Sequence, residues 1–160
     1  MVNIMPDYEP FDSETRALIE ETMKNRSPFW SLLGIELVDI KKGWSRLSLA
    51  FDPKLTHPFG IAHGGSIFSL ADSAVAMALV GMVTPEETFV TIDMSINYLA
   101  SFSEGILFAE GHILHKGRNT ALGEIKVTDD KDNLVARASA TYMILAASSR
   151  VKNLNDSSLT

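Results

Sequence analysis

The stretch that decides the fold is also the longest apolar run of the chain, residues 61–83, which reads IAHGGSIFSLADSAVAMALVGMV. It is nominally long enough to cross a bilayer as a helix. Asp72 stands near its middle, however, and three serines accompany it. Because an ionised carboxylate at bilayer depth is costly and rare, we expect no membrane span and predict a helix over about residues 66–83 that is buried in protein.

Runs typical of β-strands lie on both sides of this helix. In the run over residues 45–51, apolar and polar residues alternate with the period of two that a half-buried strand requires. Between residues 90 and 99 the alternation is strict, and Thr91 falls on the polar face together with Asp93. The turns between the later runs have hairpin chemistry. The six predicted strands are residues 33–40, 45–51, 90–99, 105–115, 120–128 and 134–145.

A helix that is apolar on every side must be covered on every side. A sheet that curls around it does this, and a second copy of the chain could cover the remainder. The sequence therefore predicts an α+β hotdog fold, in which an antiparallel sheet of about six strands wraps a long central helix. A further helix over residues 12–26 ends before Pro28. We divide the chain into an N-terminal helical extension (residues 1–28), a hotdog domain (29–147) and a flexible tail (148–160).

Composition and charge restrict the function. The chain has 160 residues, no cysteine and a formal net charge of −6; disulfides, thiolate metal sites and a cysteine nucleophile are therefore excluded. The acidic balance argues against nucleic acid, whose phosphates require clustered Lys and Arg. His112 and His115 fall on opposite faces of a strand, so we expect no metal site. The acidic N-terminus lacks a signal-peptide pattern, which favours the cytoplasm.

A His-Gly-Gly sequence stands where the loop over residues 52–65 becomes the core helix. The first N–H groups of a helix have no intrahelical acceptor, and the helix dipole is positive there. Glycine lets a ligand approach this backbone closely, which suits the developing oxyanion of an acyl transfer. Alternatively, the glycines serve only a tight turn. Taken alone, His63-Gly64-Gly65 favours that second interpretation.

Asp72 lies seven residues beyond Gly65, which on a helix is about 10 Å further along the axis. It caps a helix or bonds to Ser69, or it is a catalytic carboxylate. At that distance Asp72 and the Gly64 N–H of one chain cannot act on the same carbonyl. Two antiparallel core helices in a two-fold dimer would place one chain's Asp72 beside the other chain's helix start. We therefore predict a homodimer with shared sites.

Residues 57–72, which contain this motif and Asp72, and the run TIDMSINYL over residues 91–99 resemble the hotdog-fold acyl-CoA thioesterases of the phenylacetate-degradation (PaaI) type. The resemblance covers roughly residues 29–146. It implies hydrolysis of the thioester bond of an acyl-CoA, aryl or medium-chain, to free acid and CoA, with no cofactor. We expect the homodimers to pair into a dimer-of-dimers tetramer.

The resemblance also implies roles for individual residues. Gly64 donates its N–H to the thioester carbonyl, and His63 bonds near that carbonyl or the sulfur and shapes the loop. Asp72 acts from the opposing subunit, as general base on water or as nucleophile, and the Thr91 hydroxyl helps to hold the water. A hairpin receives the nucleotide or pantetheine part of CoA through Lys116, Gly117, Arg118 and Asn119. Taken alone, that hairpin is an ordinary solvated turn.

The sequence departs from the family pattern in two places. His57 stands where relatives commonly carry an Asn that orients the water. It can still make one hydrogen bond, with a charge that varies with pH, or it is a loop histidine packed beside Pro58. Ala100-Ser101 replaces an Arg-Pro pair, so one phosphate contact is lost.

Fold alone does not decide function, and two alternatives therefore stay open. One is a non-catalytic acyl-CoA-binding or regulatory module, for which His57 in place of Asn leaves room. The other is a hotdog enoyl-CoA hydratase or dehydratase. A choice also remains for Phe11, Phe29 and Trp30, which either cover one end of an acyl pocket or anchor the N-terminal helix; we favour anchoring.

Overall fold

The computed structural model describes residues 7–146, so the predicted tail over residues 148–160 lies outside the described residues. Two helices precede the sheet, α1 (Ser13–Arg26) and α2 (Pro28–Leu33), and the core helix is α3 (Gly64–Val80). The strands are β1 (Ile35–Lys41), β2 (Trp44–Ala50), β3 (Glu87–Tyr98), β4 (Ile106–Lys116), β5 (Thr120–Thr128) and β6 (Leu134–Ala146). Within residues 7–146, no helix is both long and apolar enough to span a membrane.

One antiparallel sheet contains all six strands, in the order β1-β2-β4-β5-β6-β3. Helix α3 packs across this sheet, mainly on β2, β4 and β5. The predicted architecture, a long helix wrapped by an antiparallel sheet of six strands, is confirmed. Strand β3 forms one edge of the sheet, with β6 as its neighbour.

The core lies between α3 and the sheet. Leu70 and Val75 of α3 are completely buried, as are Leu107 and Ile125 of the sheet. The helix approaches the sheet closely at Gly111 of β4, where a Cβ would come within 2.6 Å of the α3 backbone. A side chain at that position would push α3 and its functional groups away from the sheet.

A second face of α3 is less deeply buried. Phe68, Ser69, Asp72 and Ala76 lie on it with the spacing of one helix face, and each is only partly buried. Although the sequence of α3 is apolar almost throughout, the helix has two faces that differ in burial. One packs on the sheet, and the other carries Asp72.

The structure differs from the sequence predictions in two ways that affect the site. Helix α1 ends at Arg26 as predicted, but Pro28 begins a further helix, because proline suits the first helical position, where no N–H is needed. The strict alternation predicted for residues 90–99 is wrong. Pairing between β3 and β6 shifts between Thr91 and Asp93, so Ile92 is the extra residue of a β-bulge.

Candidate active site

Asp72 is held by hydroxyl groups from two strands. Thr91 Oγ1 donates to Asp72 Oδ1 over 3.1 Å. The Tyr142 hydroxyl lies 3.4 Å from the same oxygen and 3.3 Å from the Asp72 backbone carbonyl. Ser69, one alternative partner for Asp72, donates instead to the carbonyl of Gly65. Thr91 and Tyr142 are direct cross-strand partners, so the sheet presents both donors side by side to one carboxylate.

Tyr142 is the member of this group that sequence reasoning missed. Its side chain is fully buried and packs edge-to-face on Phe89, with ring centroids 5.6 Å apart. Burial, reinforced by the negative charge of Asp72, raises the pKa of Tyr142 well above its usual value. The phenol therefore keeps its proton and remains a hydrogen-bond donor to Asp72.

The bulge at Ile92 decides which face of β3 Thr91 occupies. Thr91 reaches Asp72, and seven residues later the Tyr98 hydroxyl donates to the Gly64 carbonyl over 2.9 Å. In a regular strand, residues an odd number apart lie on opposite faces. Here both reach α3, because the bulge adds one residue between them. The prediction that Thr91 shares the face of Asp93 is therefore wrong.

Asp72 lines a cavity of about 550 Å³ between α1, α2, α3 and β3. This volume is within the range of small-molecule sites. The other residues of the described part of the chain that line it carry no charge: Met23, Ser27, Pro28, Phe29, Trp30, Phe68, Ser69, Ser73, Ala76, Met77, Val80 and Phe89. Trp30, for which the sequence favoured anchoring alone, lines this cavity, and its Nε1 donates to Ser73 Oγ over 2.9 Å.

The start of α3 is organised by residues that are close in sequence. His63 is the N-cap, and its Nδ1 accepts from the Gly65 N–H over 2.9 Å. The carbonyl of His63 accepts from the Ser66 N–H. Among the hydrogen bonds within residues 7–146, none uses the N–H of Gly64, the first of the helix. A free N–H at the positive end of a helix is the donor that an oxyanion requires.

Gly64 shares a second cavity, of about 400 Å³, with His57. The His57 ring accepts the Phe59 N–H at Nδ1 over 3.1 Å and stands edge-on to the Phe59 ring. Tyr98 also lines this cavity, and a Cβ on Gly64 would lie 3.1 Å from the Tyr98 ring. Glycine at this position thus lets Tyr98 lie directly against the helix start.

Within one chain the predicted catalytic residues therefore form two groups. Thr91 joins Asp72 at the middle of α3, whereas His57 and His63 lie with Gly64 at its start. Asp72 lines the first cavity and Gly64 the second. This arrangement agrees with the predicted distance along the helix.

The predicted CoA-binding residues form the β4–β5 hairpin and line neither of these cavities. Lys116 Nζ lies 3.6 Å from the carboxylate of Glu87, at the start of β3. The Gly117 N–H donates to the Thr120 carbonyl, and the Asn119 carbonyl accepts from a β6 amide. Arg118 is exposed. The hairpin is thus fixed at its base, with one cation paired and the other open to solvent.

Comparisons with known proteins identify the family. The sequence model of the thioesterase superfamily matches residues 59–136. A 1,4-dihydroxy-2-naphthoyl-CoA hydrolase from Listeria monocytogenes is 31% identical over 112 residues, which are 70% of this chain and 91% of that protein. A putative esterase from Saccharolobus solfataricus is 33% identical over 126 residues, 79% of this chain and 83% of that protein.

Solved structures agree with these relatives. A putative esterase from Mycobacterium tuberculosis superposes with a TM-score of 0.72 at 30% identity, covering 76% of this chain and 98% of that one. The PaaI protein from the E. coli phenylacetic acid degradation operon gives a TM-score of 0.76 at 21% identity, over 84% and 96% of the two chains. At that identity the second likeness shows the fold alone.

Fold, sequence and relatives together define a thioester hydrolase of the hotdog type. The chain belongs to the thioesterase superfamily. The predicted hotdog fold and the resemblance to hotdog-fold thioesterases are both confirmed, and the PaaI protein shares that fold.

Proposed function

We propose that this protein hydrolyses the thioester bond of an acyl-CoA, with an aryl or medium-chain acyl group, to the free acid and CoA. The observation that carries the proposal is the Asp72 carboxylate, held by two hydroxyl groups beside an otherwise uncharged cavity. A fixed carboxylate next to an apolar pocket suits a substrate that joins an apolar acyl group to a reactive carbonyl. The relative that hydrolyses 1,4-dihydroxy-2-naphthoyl-CoA supports an aromatic acyl group.

Asp72 acts on the thioester carbonyl carbon by one of two routes. As general base, it takes a proton from water while the water oxygen bonds to that carbon. As nucleophile, its own oxygen forms the bond, and water then cleaves the resulting anhydride. In both routes the C–S bond breaks, and CoA leaves as the thiol once its sulfur has taken up a proton. Thr91 and Tyr142 both approach Oδ1, which leaves Oδ2 for the reacting group.

Gly64 supplies the complementary group. Its N–H stands at the positive end of α3, where it stabilises the oxyanion that forms when the carbonyl is attacked. His63 accepts at Nδ1, so its proton is on Nε2, which can donate to the carbonyl or the sulfur. His57 lies beside Gly64 and takes the water-orienting role that Asn has in relatives.

The working unit is a two-fold dimer. Asp72 lies eight residues beyond Gly64 on one helix, about 12 Å along its axis, which is too far for both to act on one carbonyl. Strand β3 supports pairing with a second copy, because it is an edge strand whose Val90 and Ile92 are 47% and 52% exposed. Antiparallel α3 helices would then set Asp72 beside the partner's Gly64. Two such dimers form the tetramer.

The β4–β5 hairpin receives the nucleotide or pantetheine part of CoA. Lys116 and Arg118 bring local positive charge to a chain whose net charge is −6. Gly117 lies between these two cations in sequence, and Asn119 follows them. Screening limits the reach of such charges to about 8 Å at physiological ionic strength. The hairpin therefore acts through direct contact with phosphate or amide groups and not by attraction from a distance.

Release of free thiol from a panel of acyl-CoAs, by the wild type and by Asp72→Asn, tests the proposal. The amide keeps the shape of the side chain but neither accepts a proton nor attacks carbon, so turnover should fall about 10²–10⁴-fold. Asp93→Asn is the matched control, because it removes the same charge from an exposed position on β3, the strand that also carries Thr91. It should leave turnover unchanged.

Three results would contradict parts of this proposal. Unchanged hydrolysis by Asp72→Asn across the whole panel would remove Asp72 from the reaction. Tight binding of an acyl-CoA by the wild type without release of thiol would indicate a binding module. Hydration of an enoyl-CoA without release of thiol would indicate a hydratase.

A further inference from the structure

Helix α2 forms one wall of the cavity that Asp72 lines. Its Trp30 donates from Nε1 to Ser73 Oγ over 2.9 Å, and Ser73 directly follows Asp72 on α3. Ser73 is 9% exposed, so little water competes for this hydrogen bond. The bond therefore fixes the indole in one orientation beside the carboxylate more firmly than apolar packing alone would.

Trp30 also separates two spaces. Trp30 and Met23 line both the Asp72 cavity, of about 550 Å³, and a neighbouring cavity of about 520 Å³. The two cavities differ in chemistry. Among the described residues, Asp72 is the one charged residue that lines the first cavity, whereas Lys24 and Glu36 are among the charged residues that line the second. The indole thus stands between an apolar space next to the carboxylate and a more polar space beyond it.

The apolar lining defines a direction for a bound ligand. From Asp72 it continues along α3 to Val80, eight residues or about 12 Å further. Met77 and Phe89 line the same space. A thioester whose carbonyl lies at Asp72 therefore extends its acyl group along α3, with Trp30 in the facing wall.

On the basis of the proposed function, we propose that Trp30 determines which acyl groups this protein accepts, and that Ser73 is the residue that positions it. The indole closes the acyl pocket from the side. An acyl group too long or too broad for the first cavity must displace Trp30 and break its bond to Ser73, or else enter the polar space. Trp30 therefore discriminates against such substrates.

The test compares kcat/KM for acyl-CoAs of increasing length and width in the wild type and in Trp30→Ala. Removal of the indole joins the two cavities, so the ratio of kcat/KM for the largest to that for the smallest substrate should rise about tenfold. Trp30→Phe and Ser73→Ala both lose the hydrogen bond while the wall keeps an aromatic ring. Each should raise this ratio by less than Trp30→Ala does. The double variant Trp30→Phe, Ser73→Ala should raise the ratio no further than either single variant, because both substitutions remove the same hydrogen bond.

Trp44→Phe is the matched control. Trp44 lies on β2, stacks with Tyr8 and lines none of these cavities, so its replacement should leave the selectivity ratio unchanged. A loss of kcat/KM that is equal for all substrates in Trp30→Ala would overturn the inference and leave Trp30 as an anchor of α2. Thermal unfolding of each variant shows whether the fold is retained, and Trp30→Phe provides the test if the alanine variant unfolds.

A measurement without turnover separates this inference from the proposed function. The chain has two tryptophans, so Trp30 is the only one left in the double variant Trp44→Phe, Asp72→Asn. Its fluorescence should change on titration with acyl-CoAs and stay constant with CoA alone, whether or not the wild type hydrolyses them. Binding seen by calorimetry without any change in Trp30 fluorescence would overturn the inference. Absence of thiol release by the wild type, with the fluorescence change present, would contradict only the proposed function.

Discussion

The two groups of functional residues on α3 are built in different ways. At the helix start the contacts are local, as His63 caps the N–H of Gly65, two residues further on. At the middle of the helix they are remote, since Asp72 is held by Thr91, 19 residues away in sequence, and by Tyr142, 70 residues away. One half of the site thus belongs to a helix and its loop, and the other half to the whole sheet.

This difference shows what each half depends on. The N–H donor at Gly64 exists as soon as α3 begins there. The carboxylate is held only when β3 and β6 pair in register, because a slip of one residue would turn Thr91 away from α3. Strand β3 joins the halves, since Tyr98 at its far end donates to the Gly64 carbonyl. Substitutions at the helix start should therefore test the donor, and substitutions in the sheet should test the carboxylate.

The largest effect that distinguishes the halves is expected from Gly64→Pro. Proline suits the first position of a helix; there it removes the N–H and adds a ring whose Cβ takes the place of an alanine Cβ. His63 already has the extended conformation (φ −67°, ψ 135°) that a residue before proline requires. We expect kcat/KM to fall about 10²–10³-fold. Gly64→Ala keeps the N–H while adding a Cβ 3.1 Å from the Tyr98 ring. The kcat/KM of Gly64→Ala should therefore fall far less than that of Gly64→Pro. An equal fall in both variants would mean that the shape of the pocket matters and the N–H donor does not.

Co-expression of Gly64→Pro with Asp72→Asn extends the same prediction to the dimer. If each site combines Gly64 of one chain with Asp72 of the other, a mixed dimer keeps one intact site out of two. Random mixing makes half of the dimers mixed, so activity should recover to about a quarter of that of the wild type. Co-expressed protein no more active than its two components would contradict shared sites.

A smaller effect is expected in the sheet, from Tyr142→Phe. The change removes a hydroxyl that lies 3.4 Å from Asp72 Oδ1 and, within residues 7–146, leaves Thr91 as the donor to that oxygen. Hydrogen bonds to charged groups contribute about 1.5–3 kcal/mol, and this one is long, so we expect kcat to fall about tenfold. Steady-state kinetics measure this change. Thr141→Val, the neighbouring residue on β6, is the control for packing, and an unchanged kcat in Tyr142→Phe would remove Tyr142 from the site.

The sequence predicts the fold well where the signal is local. The strand predicted over residues 120–128 has the observed bounds of β5, and the helix predicted over about residues 66–83 is observed as α3 (Gly64–Val80). Helix α2 is missed because a proline after a helical run indicates the end of that helix, although proline also suits the first position of a new one. The bulge is missed because Ile92 is apolar and therefore fits a regular alternation of apolar and polar residues. The extra residue is visible only in the pairing of β3 with β6.

The site follows the same division. The helix cap and the free N–H at Gly64 follow from the His-Gly-Gly sequence and the physics of helix ends. The hydrogen bond from Tyr142 to Asp72 joins residues 70 positions apart in sequence and depends on how the strands pair. The periodicity of a single strand does not reveal that pairing. One signal pointed to it: Tyr142 continues a row of alternate small residues, Ala136, Ala138 and Ala140, that face the core. A hydroxyl in such a row requires a buried partner.

The smallest effect is expected at the helix cap. His63→Ala removes the acceptor of the Gly65 N–H, and loss of an N-cap side chain lowers the free energy of unfolding by about 1 kcal/mol, which urea denaturation measures. His63→Asn supplies a new cap acceptor but no Nε2 donor, so it should restore stability and leave hydrolysis impaired. Recovery of both stability and hydrolysis in His63→Asn would show that His63 serves only as the helix N-cap. Because the cap and the sheet contacts share no partner, the unfolding effects of His63→Ala and Tyr142→Phe should add. A clear departure from additivity would show that the two halves of the site are coupled through β3.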